Sequence, residues 1–126
     1  MRLAILFALG LAIGAIAAAN VVNALRQRDA YPRGLMNVMQ HDLGALRADA
    51  RAQRCNAQAA VSLEQLRGLA NGIEAAVYGG DPPDPPFAEY AKRLRDAIPP
   101  ALDCKDLAQT TDRIGTACDA CHRQYR

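Results

Sequence analysis

The sequence predicts an all-α protein, an up-down-up-down antiparallel four-helix bundle that follows an N-terminal signal peptide. The chain of 126 residues is rich in Ala, Leu, Gln and Arg, which favour helices. Apolar residues recur at alternating steps of three and four, and no segment shows the alternation typical of a strand. Stretches rich in Pro and Gly divide this pattern into segments with short connections, so that consecutive helices are expected to be antiparallel.

The first 19 residues have the composition of a secretory signal peptide. A short positive start precedes an apolar or small-residue run over 3–19, and three alanines before Asn20 fit a cleavage site. We predict a signal peptide at 1–19 and a mature domain at 20–126 that is exported to the periplasm, with no membrane attachment after cleavage. The alternative is an uncleaved anchor, because the run is at the lower limit of what spans a bilayer.

The charge and the aromatic content limit the classes of function. Fifteen Lys and Arg residues oppose 13 Asp and Glu residues, and the basic residues do not cluster as they do in proteins that bind nucleic acid. The chain has no Trp and few other aromatic residues. A core of this size therefore gains from a large apolar cofactor around which it can pack.

Four helices are expected after the leader, preceded by an amphiphilic, partly helical lead-in at 20–31. Their predicted ranges are 32–53, 57–78, 87–97 and a last helix capped by Asp103, with Asn56 as the N-cap of the second helix. The segment 79–86 is predicted to be a non-helical connector, and Pro99 and Pro100 end the third helix. Gly68 and Gly72 lie one turn apart in the second helix, which predicts the close approach of a neighbour.

Each predicted helix carries one apolar stripe that should face the core. The stripes consist of Leu35, Met36, Met39, Leu43 and Leu46; of Leu63, Leu66, Ala70, Ile73 and Val77; of Phe87, Tyr90, Leu94 and Ile98; and of Leu107, Thr111, Ile114, Cys118, Cys121 and Tyr125. Cys118 and Cys121, near the end of the chain, thus belong to the inward face of the last helix.

The sequence Cys118-Asp119-Ala120-Cys121-His122 is the attachment signature of c-type haem. On a helix, these spacings place both thiols and the imidazole on one face. Two thiols can then bond to the vinyl groups of one porphyrin while His122 reaches its iron. A redox-active dithiol would require a βαβ context, and structural zinc requires four ligands at other spacings. We therefore predict one covalent haem c, with His122 as the proximal iron ligand.

The other two cysteines, Cys55 and Cys104, are predicted to lie at the same end of an antiparallel bundle. From Met36 to Cys55 is 19 residues, or about 28 Å of helix, and from Cys104 to His122 is 18 residues, or about 27 Å. A Cys55–Cys104 disulfide and a Met36–His122 pair therefore fit one geometry. The alternative is that both thiols are free, although an oxidising compartment favours the disulfide.

Two methionines on the first helix are candidates for the sixth iron ligand. A thioether opposite His122 would make the iron six-coordinate and raise its reduction potential. Met36 is the predicted ligand and Met39, one turn further, is the reserve. Ordinary core packing is the alternative for both. His41 lies off the apolar stripe and is predicted to be solvated.

With a leader, four helices and the ending Cys118–Arg126, the chain resembles the class II c-type cytochromes, the cytochrome c′ family. A second stretch of similarity is Tyr31–Met39. The resemblance implies that the inward residue five positions after Tyr31 faces the distal side of the iron. That residue is apolar in the high-spin members, which bind small gases, and methionine in the low-spin members. Because it is Met36 here, the chain is similar to the low-spin branch that carries electrons.

The resemblance also suggests roles for two arginines. Arg126 corresponds to the family's arginine beside the proximal histidine, where it can influence the electrostatics of the haem. Pro32 occupies a position at which many relatives have an arginine near a haem propionate, so Arg33 is the candidate substitute. A Cys55–Cys104 pair is not a general feature of the family. Relatives often form dimers through their first two helices, so the resemblance is compatible with a homodimer.

The expected function is one-electron transfer with redox partner proteins. No acid/base pair, nucleophile or substrate cleft is recognisable in the sequence, so an enzyme is not predicted. One alternative is a five-coordinate cytochrome c′ that binds nitric oxide or carbon monoxide. The other is a haem-free helical binding module stapled by a disulfide.

Overall fold

The computed structural model describes residues 2–125, except for the side chains of residues 2–6, 8 and 25–29. This part of the chain is all-α and contains no strand, as the sequence predicts. Its helices are α1 (Arg2–Arg51), α2 (Ala57–Tyr78), α3 (Pro85–Ala97) and α4 (Leu107–Gln124). The chain divides into two compact units, residues 1–31 and residues 32–126.

The first unit is helical and belongs to α1. Its described apolar side chains are exposed, among them Phe7, Leu11 and Ile16. No helix in the described residues combines the length and the apolarity needed to cross a membrane. The prediction that a helix begins at Pro32 is wrong, because α1 contains this proline and residues 20–31 are helical. The residues before Pro32 include many strong helix formers, and one proline removes only one backbone donor.

The second unit is a packed helical bundle with antiparallel contacts, in which α2 packs against α3 and α3 against α4. One core contains residues of all four helices, and most of the predicted stripes are buried in it. The stripe of α1 contributes Leu35, Met39, Leu43 and Leu46, and the stripe of α4 contributes Leu107 and Ile114. The prediction that Val77 faces the core is wrong, because Val77 is exposed near the end of α2 and Ala76 is buried instead.

Asp42 is a buried polar residue on α1, at the edge of the apolar stripe. Its side chain is only 4% exposed, and within the described residues no donor reaches its Oδ2 atom. Burial raises the pKa of this carboxyl group, and the neighbouring charge of His41 opposes the shift. A protonated Asp42 is therefore favoured more than it would be in water.

The ends of α2 and α3 follow from local chemistry. Asn56 caps α2 as predicted, since its side chain accepts a hydrogen bond of 2.9 Å from the amide of Ala59. At the other end Gly79 adopts a left-handed conformation (φ 63°), which glycine permits at low cost. The predicted connector is two residues too long, because α3 begins at Pro85 with Asp84 as its N-cap. Proline suits a first turn, where the missing amide hydrogen has no helical partner.

Two further details of the prediction are wrong. Asp103 does not cap α4, which begins at Leu107 after Asp106. The Asp103 carboxylate instead accepts a hydrogen bond of 2.9 Å from the amide of Lys105, which stabilises a turn before the helix. Gly68 and Gly72 do not mark a close approach, since a Cβ built at either position meets nothing within 4 Å.

The disulfide between Cys55 and Cys104 is confirmed, with Cα atoms 5.6 Å apart. It joins the segment after α1 to the turn before α4, as the antiparallel arrangement predicts. The two cysteines are separated by 49 positions in the sequence, so the bond closes a long loop. Closing such a loop strongly reduces the conformational entropy of the unfolded chain.

We expect Cys55→Ser to lower the free energy of unfolding by about 4 kcal/mol, the loop-closure value for a 49-residue separation. Urea denaturation measures this change, and the double variant Cys55→Ser/Cys104→Ser is the matched control because it lacks the same bond. An unchanged denaturation midpoint would contradict the stabilising role assigned to this disulfide.

Candidate cofactor site

A cavity of about 260 Å³ opens among the helices of the second unit. All five residues that the sequence predicts to surround the iron and the thioether bonds lie on its wall: Met36, Met39, Cys118, Cys121 and His122. The helical spacing of α4 brings its two thiols and its imidazole to one side. The apolar stripe of α1 brings both thioethers to the same cavity.

The two cysteines of α4 are free thiols, in contrast to the bonded pair Cys55–Cys104. Cys121 is buried and Cys118 is half-buried. Burial raises the pKa of both thiols, and the charge of Asp119 raises that of Cys118 further. His122 is exposed overall, although it contributes to the cavity wall. The cysteines thus present neutral thiols to the cavity near pH 7.

The two methionines differ in burial. Met39 is 5% exposed and belongs to the hydrophobic core, whereas Met36 is only partly buried and packs against that core. Met36 therefore has more freedom to orient its thioether toward a group in the cavity. His41 is exposed, as expected. Arg33 is also exposed and does not line the cavity, and Arg126 lies outside the described residues.

Arg47 is a residue of the site that the predictions did not include. It is half-buried on α1 and lines the cavity, and its guanidinium group lies over the backbone of Gly115 on α4. A Cβ built at Gly115 would overlap this group, and would be 3.1 Å from its Cζ atom. The sequence carries a signal for this position, because Met36, Leu43 and Arg47 follow one another at helical steps of seven and four.

Aromatic side chains form the wall that α3 contributes. The rings of Phe87 and Tyr90 line the cavity, and both meet Tyr125 edge to face, with centroids 5.2 and 6.0 Å apart. Phe87 also meets Tyr78 of α2 at 5.0 Å. Such edge-to-face pairs are favourable beyond the area they bury. The cluster therefore fixes α3 against the C-terminal end of α4, just after the Cys118–His122 motif.

Asp84 connects the C-terminal end of α4 to the start of α3. Its carboxylate accepts the capping hydrogen bond from the amide of Phe87 at 2.8 Å. The same carboxylate accepts the Tyr125 hydroxyl at 3.0 and 3.1 Å. Sequence reasoning missed this contact because the two residues are 41 positions apart and neither belongs to a shared periodic pattern.

The donor set of the cavity fits a covalently attached haem. Two thiols at i and i+3 can form the thioether bonds, while an imidazole and a thioether are the axial ligands of many cytochromes. Leu43, Ile73 and Leu94 provide apolar surface for a porphyrin. In the described part of the chain, no group of three or more His, Cys, Asp or Glu side chains could hold a metal ion by themselves.

No protein-family model, curated protein or solved structure matches this chain. The functional assignment therefore depends on the residues of the cavity and on the two free thiols.

The Tyr125 hydroxyl provides a pH-dependent test of the Asp84 contact. Burial and the hydrogen bond to Asp84 raise the pKa of Tyr125 to about 12, from an ordinary value near 10. The folded state thus favours the neutral phenol. Its stabilising effect is complete below pH 10, and it is lost as the pH rises from about 10 to about 12.

An ultraviolet titration of tyrosinate should therefore show one tyrosine that ionises late. Tyr125→Phe should remove this late step and the matching loss of stability at alkaline pH. Tyr31→Phe is the control, because it removes an exposed tyrosine remote in sequence from Asp84. If the late step is present in Tyr125→Phe, the hydrogen bond does not have the proposed effect.

Proposed function

We propose that this protein is a periplasmic c-type cytochrome of the class II kind, which carries single electrons between redox partner proteins. One haem c is attached through Cys118 and Cys121, with His122 as the proximal iron ligand and Met36 as the sixth ligand. The observation that carries the proposal is the cavity whose wall contains these four residues. Met39, on the same wall, is the reserve ligand.

The residues of the chain have distinct tasks in this proposal. The thiols of Cys118 and Cys121 would hold the cofactor covalently, so that it could not be lost. The imidazole of His122 and the thioether of Met36 would hold the iron in both oxidation states. Apolar side chains such as Leu43 and Leu94 limit the access of water. Haem supplies the one-electron couple of its iron.

The proposed architecture is an up-down-up-down four-helix bundle. It is supported by the packing of α2 on α3 and of α3 on α4, and by the disulfide that joins the segment after α1 to the turn before α4. The proposed export to the periplasm is supported by the leader-like composition of residues 1–19 and agrees with a disulfide. In this proposal Arg126 and Arg33 belong to the surroundings of the haem.

The first test is the mass of the protein after expression with a working system for haem attachment. The wild-type chain should carry the mass of one haem even after denaturation. Cys118→Ser/Cys121→Ser should lack it, and the matched variant Cys55→Ser/Cys104→Ser should retain it. A wild-type mass without haem, in cells that mature a known c-type cytochrome, would refute the proposal and favour the haem-free binding module.

The second test concerns the sixth ligand. The reduced wild-type protein should show the sharp, split visible bands of a six-coordinate low-spin haem. Met36→Ala should make the iron high-spin and open it to carbon monoxide, because no thioether then occupies the sixth position. Met39→Ala, a truncation in the buried core, should cost about 2–5 kcal/mol of stability and leave the iron low-spin.

Two other outcomes are informative. If Met39→Ala opens the iron and Met36→Ala does not, Met39 is the ligand. A wild-type protein with a broad Soret band that binds carbon monoxide rapidly would instead be a five-coordinate, gas-binding cytochrome.

A further inference from the structure

Arg47 contributes a positively charged guanidinium group to the cavity wall. Its side chain is half-buried, and no hydrogen bond or ion pair holds its guanidinium group among the residues that the structure describes. Asp119 is the acidic residue on the cavity wall, and it forms no ion pair with Arg47 in this part of the chain.

Three arginines elsewhere in the bundle illustrate the usual pairing with a carboxylate. Arg54 binds Asp49 at 3.0 Å, Arg93 binds Glu89 at 3.0 Å, and Arg95 binds Glu74 at 3.2 Å. A partly desolvated cation that lacks such a partner is unfavourable unless another group in the site compensates for it. The position of Arg47 thus indicates that its charge acts on a group bound in the cavity.

Gly115 makes room for this cation. It is buried in the middle of α4, where glycine is less favourable than alanine by about 1 kcal/mol. Any side chain at this position would collide with the Arg47 guanidinium. The guanidinium group therefore fills the space that the absent side chain of Gly115 leaves. Cys118, one turn further along α4, feels the charge directly, because Arg47 acts to lower the pKa of its thiol.

We propose that Arg47 is an internal cation that raises the reduction potential of the haem. This inference rests on the proposed electron-carrier function. When the iron accepts one electron from a redox partner protein, it changes from ferric to ferrous and the site loses one positive charge. A fixed cation nearby disfavours the ferric state, and it does so strongly because the surroundings screen charge less than water does.

The test is a redox titration of the complete haem-bearing protein in four forms. Arg47→Gln removes the charge and should lower the reduction potential below that of the wild type. Arg47→Lys keeps the charge and should retain most of the potential. Arg51→Gln is the matched control, because it removes an equal charge from the same helix at an exposed position outside the cavity.

The dependence of the reduction potential on salt concentration distinguishes a charge in the cavity from a charge on the surface. The shift caused by Arg47→Gln should persist at high ionic strength, whereas any shift caused by Arg51→Gln should disappear there. Denaturation supplies a readout that is independent of the titration. A lower reduction potential of the folded protein means that the folded state favours the oxidised form more. Arg47→Gln should therefore raise the free energy of unfolding of the oxidised protein relative to that of the reduced protein.

Gly115→Ala tests the geometry without removing the charge. The added methyl group should displace the guanidinium and lower the potential in the wild-type background. In the Arg47→Gln background the same substitution should have little further effect, since the cation is already absent. Additive shifts would mean that Gly115 acts independently of Arg47.

The outcomes distinguish this inference from the proposed function. Haem-bearing variants with unchanged spectra and equal potentials would overturn the role of Arg47 and leave the electron carrier intact. A potential in Arg47→Lys as low as that in Arg47→Gln would also overturn it, because the charge would not be the cause. A wild-type chain without attached haem would overturn both.

Discussion

The buried stripe of α4 is the constraint on which the rest of the bundle depends. Leu107, Thr111 and Ile114 are buried along one face of this helix, and the same face continues to Cys118 and Cys121. Because an α-helix repeats about every 3.6 residues, burying the first three residues directs the following thiols inward as well. The hydrophobic effect therefore positions two reactive side chains before any cofactor contributes. The cavity forms where this face meets α1 and α3, since small residues and thiols leave space that leucines would fill.

Contacts on both sides of that stripe limit how far α4 can shift. The Cys55–Cys104 bond holds the turn before the helix to the segment after α1. Beyond the other end, the Tyr125 hydroxyl binds the carboxylate that caps α3, and the aromatic rings pack around it. A helix that is held at both ends keeps its thiols at a defined depth and orientation, which is the preorganisation that a covalent cofactor site needs.

The sequence predicted the features that follow from periodicity and missed those that depend on distant side chains. The stripes of α1 and α4, the Asn56 cap and the disulfide were predictable, because each follows from helical spacing or local backbone chemistry. Pro32 and Pro85 were placed wrongly, because a proline within a helical sequence is compatible both with a first turn and with a tolerated interior position. The Asp84–Tyr125 and Arg47–Gly115 contacts were not predictable, since they depend on how the helices are rotated against each other.

The glycines show why helical pattern alone does not identify a site. Gly68 and Gly72 are spaced as if for a close helix contact, yet a Cβ at either position meets nothing. Gly115 is a single glycine with no such pattern, and it is the one at which a side chain would collide with a neighbour. Its neighbour Arg47 is eleven residues after Met36, which is close to three turns of α1, so both face the same cavity. One face of α1 therefore presents both a thioether and a guanidinium group to the same cavity, while the buried Met39 and Leu43 join this face to the core.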